Sequence, residues 1–303
     1  MLIDIVIPHF NDEYRLLSCL NSIFVALSFD NGGIELRNVI VVDNGSSNFS
    51  AVENICNKIA NSKVVLLKED VPGSYSARNR ALNYINKNSS DIGGVFFTDS
   101  DCLLVKTFFT VLGREVLKNN ESLLAGNVEV FPAMNNMWEA YDELFAFPQI
   151  DYVEKHKFGV TAALYVPMSS IDTIGQFSVA AFSGGDKDYC NRCCGAGIDL
   201  RYVSDLVIKH PARSNFKALV GKSIRTRTGA LMRSIEKEGR IRQIPKLALR
   251  IIPRFDRFLH MSKQRKIGAV KKVKAIFVML LIDFLAFLNE LLLLSGVVLW
   301  RAR

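Results

Sequence analysis

The sequence lacks the signatures of several protein classes. Its six cysteines, at 19, 56, 102, 190, 193 and 194, form no disulfide framework in 303 residues, which suits a reducing compartment. Cys190-x-x-Cys193-Cys194 has no second Cys/His pair at zinc spacing. On a helix those three positions share a face, so they are expected as buried thiols. No Gly-x-Gly-x-x-Gly turn follows the first strand; Pro8-His9-Phe10-Asn11 stands there, which excludes a Rossmann dehydrogenase. The N-terminus has no basic region ahead of a long apolar run, so no signal peptide is expected. There are no internal repeats and no low-complexity segments.

Acidic residues are nearly missing from one stretch. Residues 240–274 hold twelve Lys/Arg against Asp256 alone, a net +11, and residues 275–303 balance. Of the total +8, residues 1–239 therefore carry −3. The folded part has no basic excess of the kind that nucleic-acid binding uses, so no nucleic-acid partner is expected. Basic residues just ahead of an apolar segment read instead as an attraction to anionic lipid head groups.

What is present in the first half is an alternation of strand and helix patterns. Strands are expected at Leu2–Pro8, Val39–Asp43, Val64–Leu67 and Gly94–Thr98. Helical spacing covers Asp12–Leu27, Val52–Ala60 and Ser76–Lys87. Repeated βα units with apolar strands indicate an α/β fold with a mostly parallel sheet covered on both faces. The second half is less regular. It reads as helices at Leu103–Lys118, Asn136–Phe147 and Asp186–Cys194, and strands at Leu123–Phe131, Val160–Val166 and Leu200–Ile208.

The fourth strand stops at two carboxylates, Thr98-Asp99-Ser100-Asp101. In open α/β sheets that edge is where ligands bind. Two acids there need a counter-charge, and a divalent ion carrying substrate phosphates supplies one. Three further loops fall on the same edge: Pro8-His9-Phe10-Asn11-Asp12, Val41-Val42-Asp43-Asn44-Gly45-Ser46, and Gly73-Ser74-Tyr75-Ser76-Ala77-Arg78-Asn79. Asp43 offers an acceptor to a base or ribose donor. A helix start with a guanidinium favours phosphate or carboxyl oxygens.

In this order on consecutive units, the set resembles family-2 glycosyltransferases of the GT-A fold. The resemblance covers about residues 2–212 and rests on Ile5-Val6-Ile7-Pro8-x-Phe10-Asn11, the Val-Val-Asp-Asn-Gly-Ser run, Ala77-Arg78-Asn79 and the Asp-x-Asp. Gly184-Gly185-Asp186-Lys187-Asp188 stands where the family has a Glu-Asp motif, and His210 where it often has a late histidine. The resemblance implies transfer of a sugar from a nucleotide diphosphate, a UDP-sugar first among them, with inversion at the anomeric carbon. It implies that Asp43 contacts the base, that Pro8 and Phe10 shape its pocket, and that Arg78 lies near the base or phosphates. Asp99 would face the ribose and metal. Asp101 would ligate Mg²⁺ or Mn²⁺, and His210 would complete that site. Asp186 would be the general base. Inversion needs a base opposite the leaving group and a counter-charge on the leaving diphosphate, so the two must come from different segments, as they do here. Gly185 departs from the family, which has Glu there. That leaves Asp188 open as a rival base and a membrane-anchored, catalytically impaired scaffold open as the alternative function.

Ala275–Trp300 is long enough to span a bilayer. Its seventeen Leu, Ile, Val and Phe residues favour insertion by roughly 5–10 kcal/mol, against about 3 kcal/mol for a central acid. Asp283, Asn289 and Glu290 therefore offset most of that gain. A span with its acids buried against a partner is expected first, and a helix lying in the interface second. Residues 245–266 interleave apolar and basic side chains as an interfacial segment would. The expected organisation is a GT-A catalytic domain at 1–215, a basic membrane-proximal helical region at 216–272 and a hydrophobic helix at 273–303. The catalytic domain would lie on the cytoplasmic side. An enzyme held there suits a lipid-linked or saccharide acceptor in cell-surface polysaccharide or glycolipid synthesis. The Gln-x-x-Arg-Trp motif of the family's processive synthases is missing, so one sugar per binding event is expected.

Overall fold

A computed structural model describes residues 1–59, 63–88, 91–179, 183–249 and 268–296. The strands are β1 (Leu2–His9), β2 (Glu35–Asp43), β3 (Val64–Lys68), β4 (Gly94–Thr98), β5 (Leu103–Leu104), β6 (Leu123–Phe131), β7 (Ala163–Pro167) and β8 (Leu200–Pro211). The helices are α1 (Glu13–Phe29), α2 (Phe49–Lys58), α3 (Ser74–Asn88), α4 (Phe108–Lys118), α5 (Met137–Phe145) and α6 (Gln149–His156). They continue with α7 (Met168–Ile174), α8 (Gly185–Gly195), α9 (Phe216–Glu238), α10 (Ile244–Leu249) and α11 (Ala269–Leu294). Most of the basic interfacial segment expected at 245–266 lies outside the described residues.

One eight-stranded sheet runs in the order β3-β2-β1-β4-β7-β6-β8-β5. The first four strands pair in parallel, and β7 against β4 and β6, and β5 against β8, are antiparallel. The sheet is thus a mixed one, parallel where βα units repeat and antiparallel where the sequence loses that rhythm. Period-two alternation divides its side chains between two layers. Ile3, Ile5 and Ile7 join Leu16, Leu20 and Phe108 on one face. Val6, Ile40 and Phe97 join Ala81, Leu82 and Ile85 of α3 on the other. Cys190 and Cys193 pack into this second layer, and burial pushes both thiols up, Cys193 to about 11. Such thiols behave as small apolar side chains.

The chain divides into two compact units: Met1–Glu129, Phe147–Ala180 and Gly185–His210 in the first, and Val130–Ala146, Ala181–Gly184 and Pro211–Arg303 in the second. The second takes in α5, which falls within the 1–215 span. Its core joins Tyr141 and Leu144 of α5, Leu219 of α9, and Ala275, Val278, Met279 and Ile282 of α11.

α11 is long and apolar enough to cross a membrane, with a mean hydropathy of 2.3 over its best window. Its acids are not left facing outward. Arg227 of α9 bonds Glu290 at 2.7 Å and Asp283 at 3.4 Å, and Asn289 donates to Thr228 at 2.9 Å. The partner expected for those acids is therefore a neighbouring helix of the same unit.

Candidate active site at the sheet edge

The carboxyl ends of β1, β2 and β4 and the start of α3 meet in the first unit, as parallel pairing requires. His9 pairs with Asp43 in register, so the loops after β1 and β2 start side by side. Two asparagines lace them. Asn11, at φ 50°, donates its N–H to Ser46 Oγ at 2.9 Å and accepts from the Ser47 N–H at 2.8 Å. Asn44 donates to the carbonyls of Glu69 and Val71 and accepts from the Gly73 N–H at 2.6 Å. The sequence motifs contained both residues, but their service as ties between loops emerges only in three dimensions.

Within this frame Phe10 is 60% exposed, an aromatic face at the edge, and Pro8 is half-buried. Asp43 is buried. Its Oδ2 accepts from the Ser46 N–H at 3.1 Å, while Oδ1 has no partner among the described residues. An orphaned buried acceptor is costly unless a ligand satisfies it. His9, beside it, is buried with neither ring nitrogen partnered among the described residues, and burial lowers its pKa against the charges of Asp43, Glu13 and Asp12.

Arg78 is buried on α3 and donates to Asp99 Oδ1 at 2.6 Å. The arginine and the first acid of the Asp-x-Asp are thus a pair. Asn79 fixes Phe177 by both of its backbone groups, at 2.8 and 3.0 Å, which explains the third residue of Ala-Arg-Asn.

Asp101 and His210 lie far apart in sequence and 3.4 Å apart in space, from Oδ2 to Nε2. The cause is β5. The helix expected from Leu103 starts at Phe108 instead, because Leu103 and Leu104 pair antiparallel with Lys209 and Ile208 of β8. That short ladder carries the end of β8 alongside the Asp-x-Asp turn. Among the described residues no three His, Cys, Asp or Glu gather into a metal cage. One carboxylate and one imidazole still fit Mg²⁺ or Mn²⁺ of the kind that takes its remaining ligands from phosphate and water.

The two acids of α8 separate as a helix requires. Asp188 pairs with Arg192 at 3.1 Å on the outside. Asp186 points to α3: the Tyr75 hydroxyl lies 3.4 Å from its Oδ1. Burial raises the Asp186 pKa, opposed by the Lys187 N–H and the charge of Arg78. Tyr75, like His9, Asn79 and Phe177, carries no expected role from the sequence alone, and it is the one of these that touches Asp186.

The chain matches the glycosyl transferase family 2 over residues 4–172. It belongs to that family. As a family-2 glycosyltransferase it takes its sugar from a nucleotide-sugar donor. Glycosyltransferase AglE of Haloferax volcanii is 27% identical over 293 residues, covering 92% of this chain and 90% of the relative. Mannosyltransferase PcManGT from Pyrobaculum calidifontis, solved in complex with GDP-Man and Mn²⁺, shares the fold at a TM-score of 0.58 and 13% identity. That likeness covers 95% of this chain and 86% of the other, and agrees with a GT-A α/β fold. The family match holds the loops from Pro8 to Asp101 and stops short of Asp186 and His210, which the fold returns to the same edge.

Proposed function

We propose an inverting transferase that moves one sugar from a nucleotide diphosphate donor to a hydroxyl of a membrane-associated or lipid-linked saccharide. The observation that carries this is the convergence on one sheet edge of orphaned Asp43, the Asp101–His210 pair and the half-buried Asp186 from a separate segment. Asp43 receives the base, with Pro8 and Phe10 as the wall of its pocket. Arg78 holds Asp99 in place beside the ribose and phosphates. Asp101 and His210 hold Mg²⁺ or Mn²⁺, which supplies positive charge to the leaving diphosphate. Asp186 accepts the proton of the acceptor hydroxyl, and its raised pKa suits a base that must hold a proton after the transfer. Asp188, spent on Arg192, has no such part. UDP-sugars remain the first expectation, and the GDP-mannose of the Pyrobaculum enzyme adds GDP-sugars. The test is hydrolysis of a panel of both without acceptor. One donor consumed well above the rest supports the reading; none consumed at any metal concentration opposes it.

Residues 1–215 are proposed as the catalytic domain, with 216–272 and 273–303 as the attachment to the cytoplasmic face of a membrane. The packing favours the interfacial arrangement over a span. A span would carry Arg227 and its α9 neighbours to the depth of Asp283 and Glu290, where charge is expensive. The outward side of α11 instead offers a stripe of exposed apolar residues, Val273, Phe277, Leu280, Phe284, Leu288 and Leu291. With the basic stretch ahead of it, this suits a helix lying in the plane of an anionic leaflet. Membrane fractions washed with alkaline carbonate should release the protein, and Phe277→Asp with Phe284→Asp should weaken its binding to anionic vesicles about tenfold or more, from the lost apolar area. Retention after carbonate would favour the span.

A further inference from the structure

We propose that Tyr75 is a positioning residue for Asp186, and that residue 185 is glycine because the Tyr75 ring occupies the space beside it. The proposal rests on the reading of Asp186 as the base. Three observations carry it. First, the Tyr75 hydroxyl engages both ends of Asp186: it lies 3.4 Å from Oδ1 as donor and accepts from the Asp186 N–H at 3.3 Å. One side chain thereby ties the start of α8 to its carboxylate, whose Oδ1 also accepts from the Lys187 N–H at 2.9 Å. Second, the ring is locked. It stacks on Phe177 at 5.8 Å, and Phe177 stacks on Tyr189 of α8 at 4.4 Å. Asn79, one turn along α3 from Tyr75, holds the Phe177 backbone. Third, a Cβ at position 185 would lie 2.7 Å from Tyr75 Cε2, a distance at which something must shift. The ring is pinned by its stack, so any larger residue at 185 displaces the hydroxyl or the first turn of α8.

The chemistry follows from proton bookkeeping. Burial and the nearby Asp186 charge push the Tyr75 phenol up to about 12, so it stays a donor across the working range. A donor held against a carboxylate favours its charged, base-competent form, and it aims one oxygen while leaving the other for an acceptor hydroxyl. The groups facing Asp186 are Tyr75 and Arg78 from α3, Asp99 from the turn after β4, and the Lys187 N–H and Cys190 of its own helix. Of these, the Lys187 N–H donates to Oδ1 at 2.9 Å from within α8, and Tyr75 is the neutral side-chain donor, reaching the same oxygen from another segment.

The test is a double-variant cycle read as pH–rate profiles with saturating donor. Tyr75→Phe keeps the stack and removes the hydroxyl. It is expected to lower kcat about tenfold, the worth of one hydrogen bond to a charge, with donor KM within about twofold. Its acid limb is expected to move to higher pH, because the carboxylate has lost a stabilising donor. Gly185→Ala is expected to lower kcat in the wild-type background and to cost little more once Tyr75 is Ala, which removes the hydroxyl together with the ring carbons that a Cβ at 185 would meet. Unchanged kcat and acid limb in Tyr75→Phe would overturn the proposal, as would fully additive losses in the double variant. Asp186→Asn separates the two readings. If it is inactive while Tyr75→Phe is unaltered, only the positioning role falls; if it retains full activity, the base reading falls first.

Discussion

Asp186→Asn is expected to reduce kcat by about 10²–10⁴-fold, the usual contribution of a general base, with donor affinity within about twofold. The substitution keeps the shape of the side chain and its place near Tyr75. It removes the capacity to take a proton from the acceptor hydroxyl. Donor affinity should persist because the groups assigned to the nucleotide, Asp43 and the Asp101–His210 pair, sit on other segments. The wild-type pH–rate profile should fall at low pH, with its midpoint above the ordinary carboxylate range, since burial raises the Asp186 pKa. The acid limb appears as the carboxylate gains its proton, so activity is lost as pH falls and recovers as it rises. Asp188→Asn, which breaks only an outward pair with Arg192, should leave kcat within about threefold, as an exposed ion pair is worth ~1 kcal/mol or less. Steady-state kinetics on both variants checks the assignment. A larger loss at 188 than at 186 would reverse it.

Arg227→Met is expected to destabilise the second unit by about 3 kcal/mol, because it takes the guanidinium away from buried Glu290 and half-buried Asp283. Glu290 is fully buried and accepts from Arg227 at 2.7 and 3.2 Å, while Asp283 accepts at 3.4 Å. Removing one partner of a buried charge set costs far more than the set contributes. Replacing all three residues together, Arg227→Met with Asp283→Asn and Glu290→Gln, should recover most of the loss for the same reason. Thermal unfolding in detergent measures both. An unchanged unfolding midpoint in Arg227→Met would mean that the clasp does not hold α9 to α11.

The legible part of this fold is the part governed by local rules. β1 to β4 and their helices announce themselves through apolar strands and helical spacing, and the loops that end them carry Pro8, Asp43, Arg78 and Asp99 in order. In the second half β6, α5, α8 and β8 are also legible, and what resists does so for physical reasons. Leu103 and Leu104 have the apolarity of a helix start, yet a two-residue ladder to Lys209 and Ile208 claims them. No local signal distinguishes those outcomes, and the ladder is what brings His210 to Asp101. Helix α9 has little apolar contrast between its faces, so its extent escaped a reading based on periodicity. Its Arg227 answers the puzzle of acids in an apolar tail, but a pairing across more than fifty residues leaves no trace in spacing. Tyr75 was visible as a letter in a known motif. Its meaning depends on Gly185, more than a hundred residues away, and on the absence of a side chain there. A departure from a family pattern became informative once the space it vacates was seen to be filled.

The most direct test of the central claim is calorimetric titration of UDP and GDP with and without Mn²⁺, on the wild type and on Asp101→Ala. The claim is that this sheet edge binds a nucleotide diphosphate through a metal held at Asp101. At least one nucleotide should bind about tenfold or more tightly with Mn²⁺ present, as expected for a metal shared between a carboxylate and phosphates. That gain should vanish in Asp101→Ala while the weaker metal-free binding remains. Equal affinity with and without Mn²⁺, or a gain that survives in Asp101→Ala, would contradict the account.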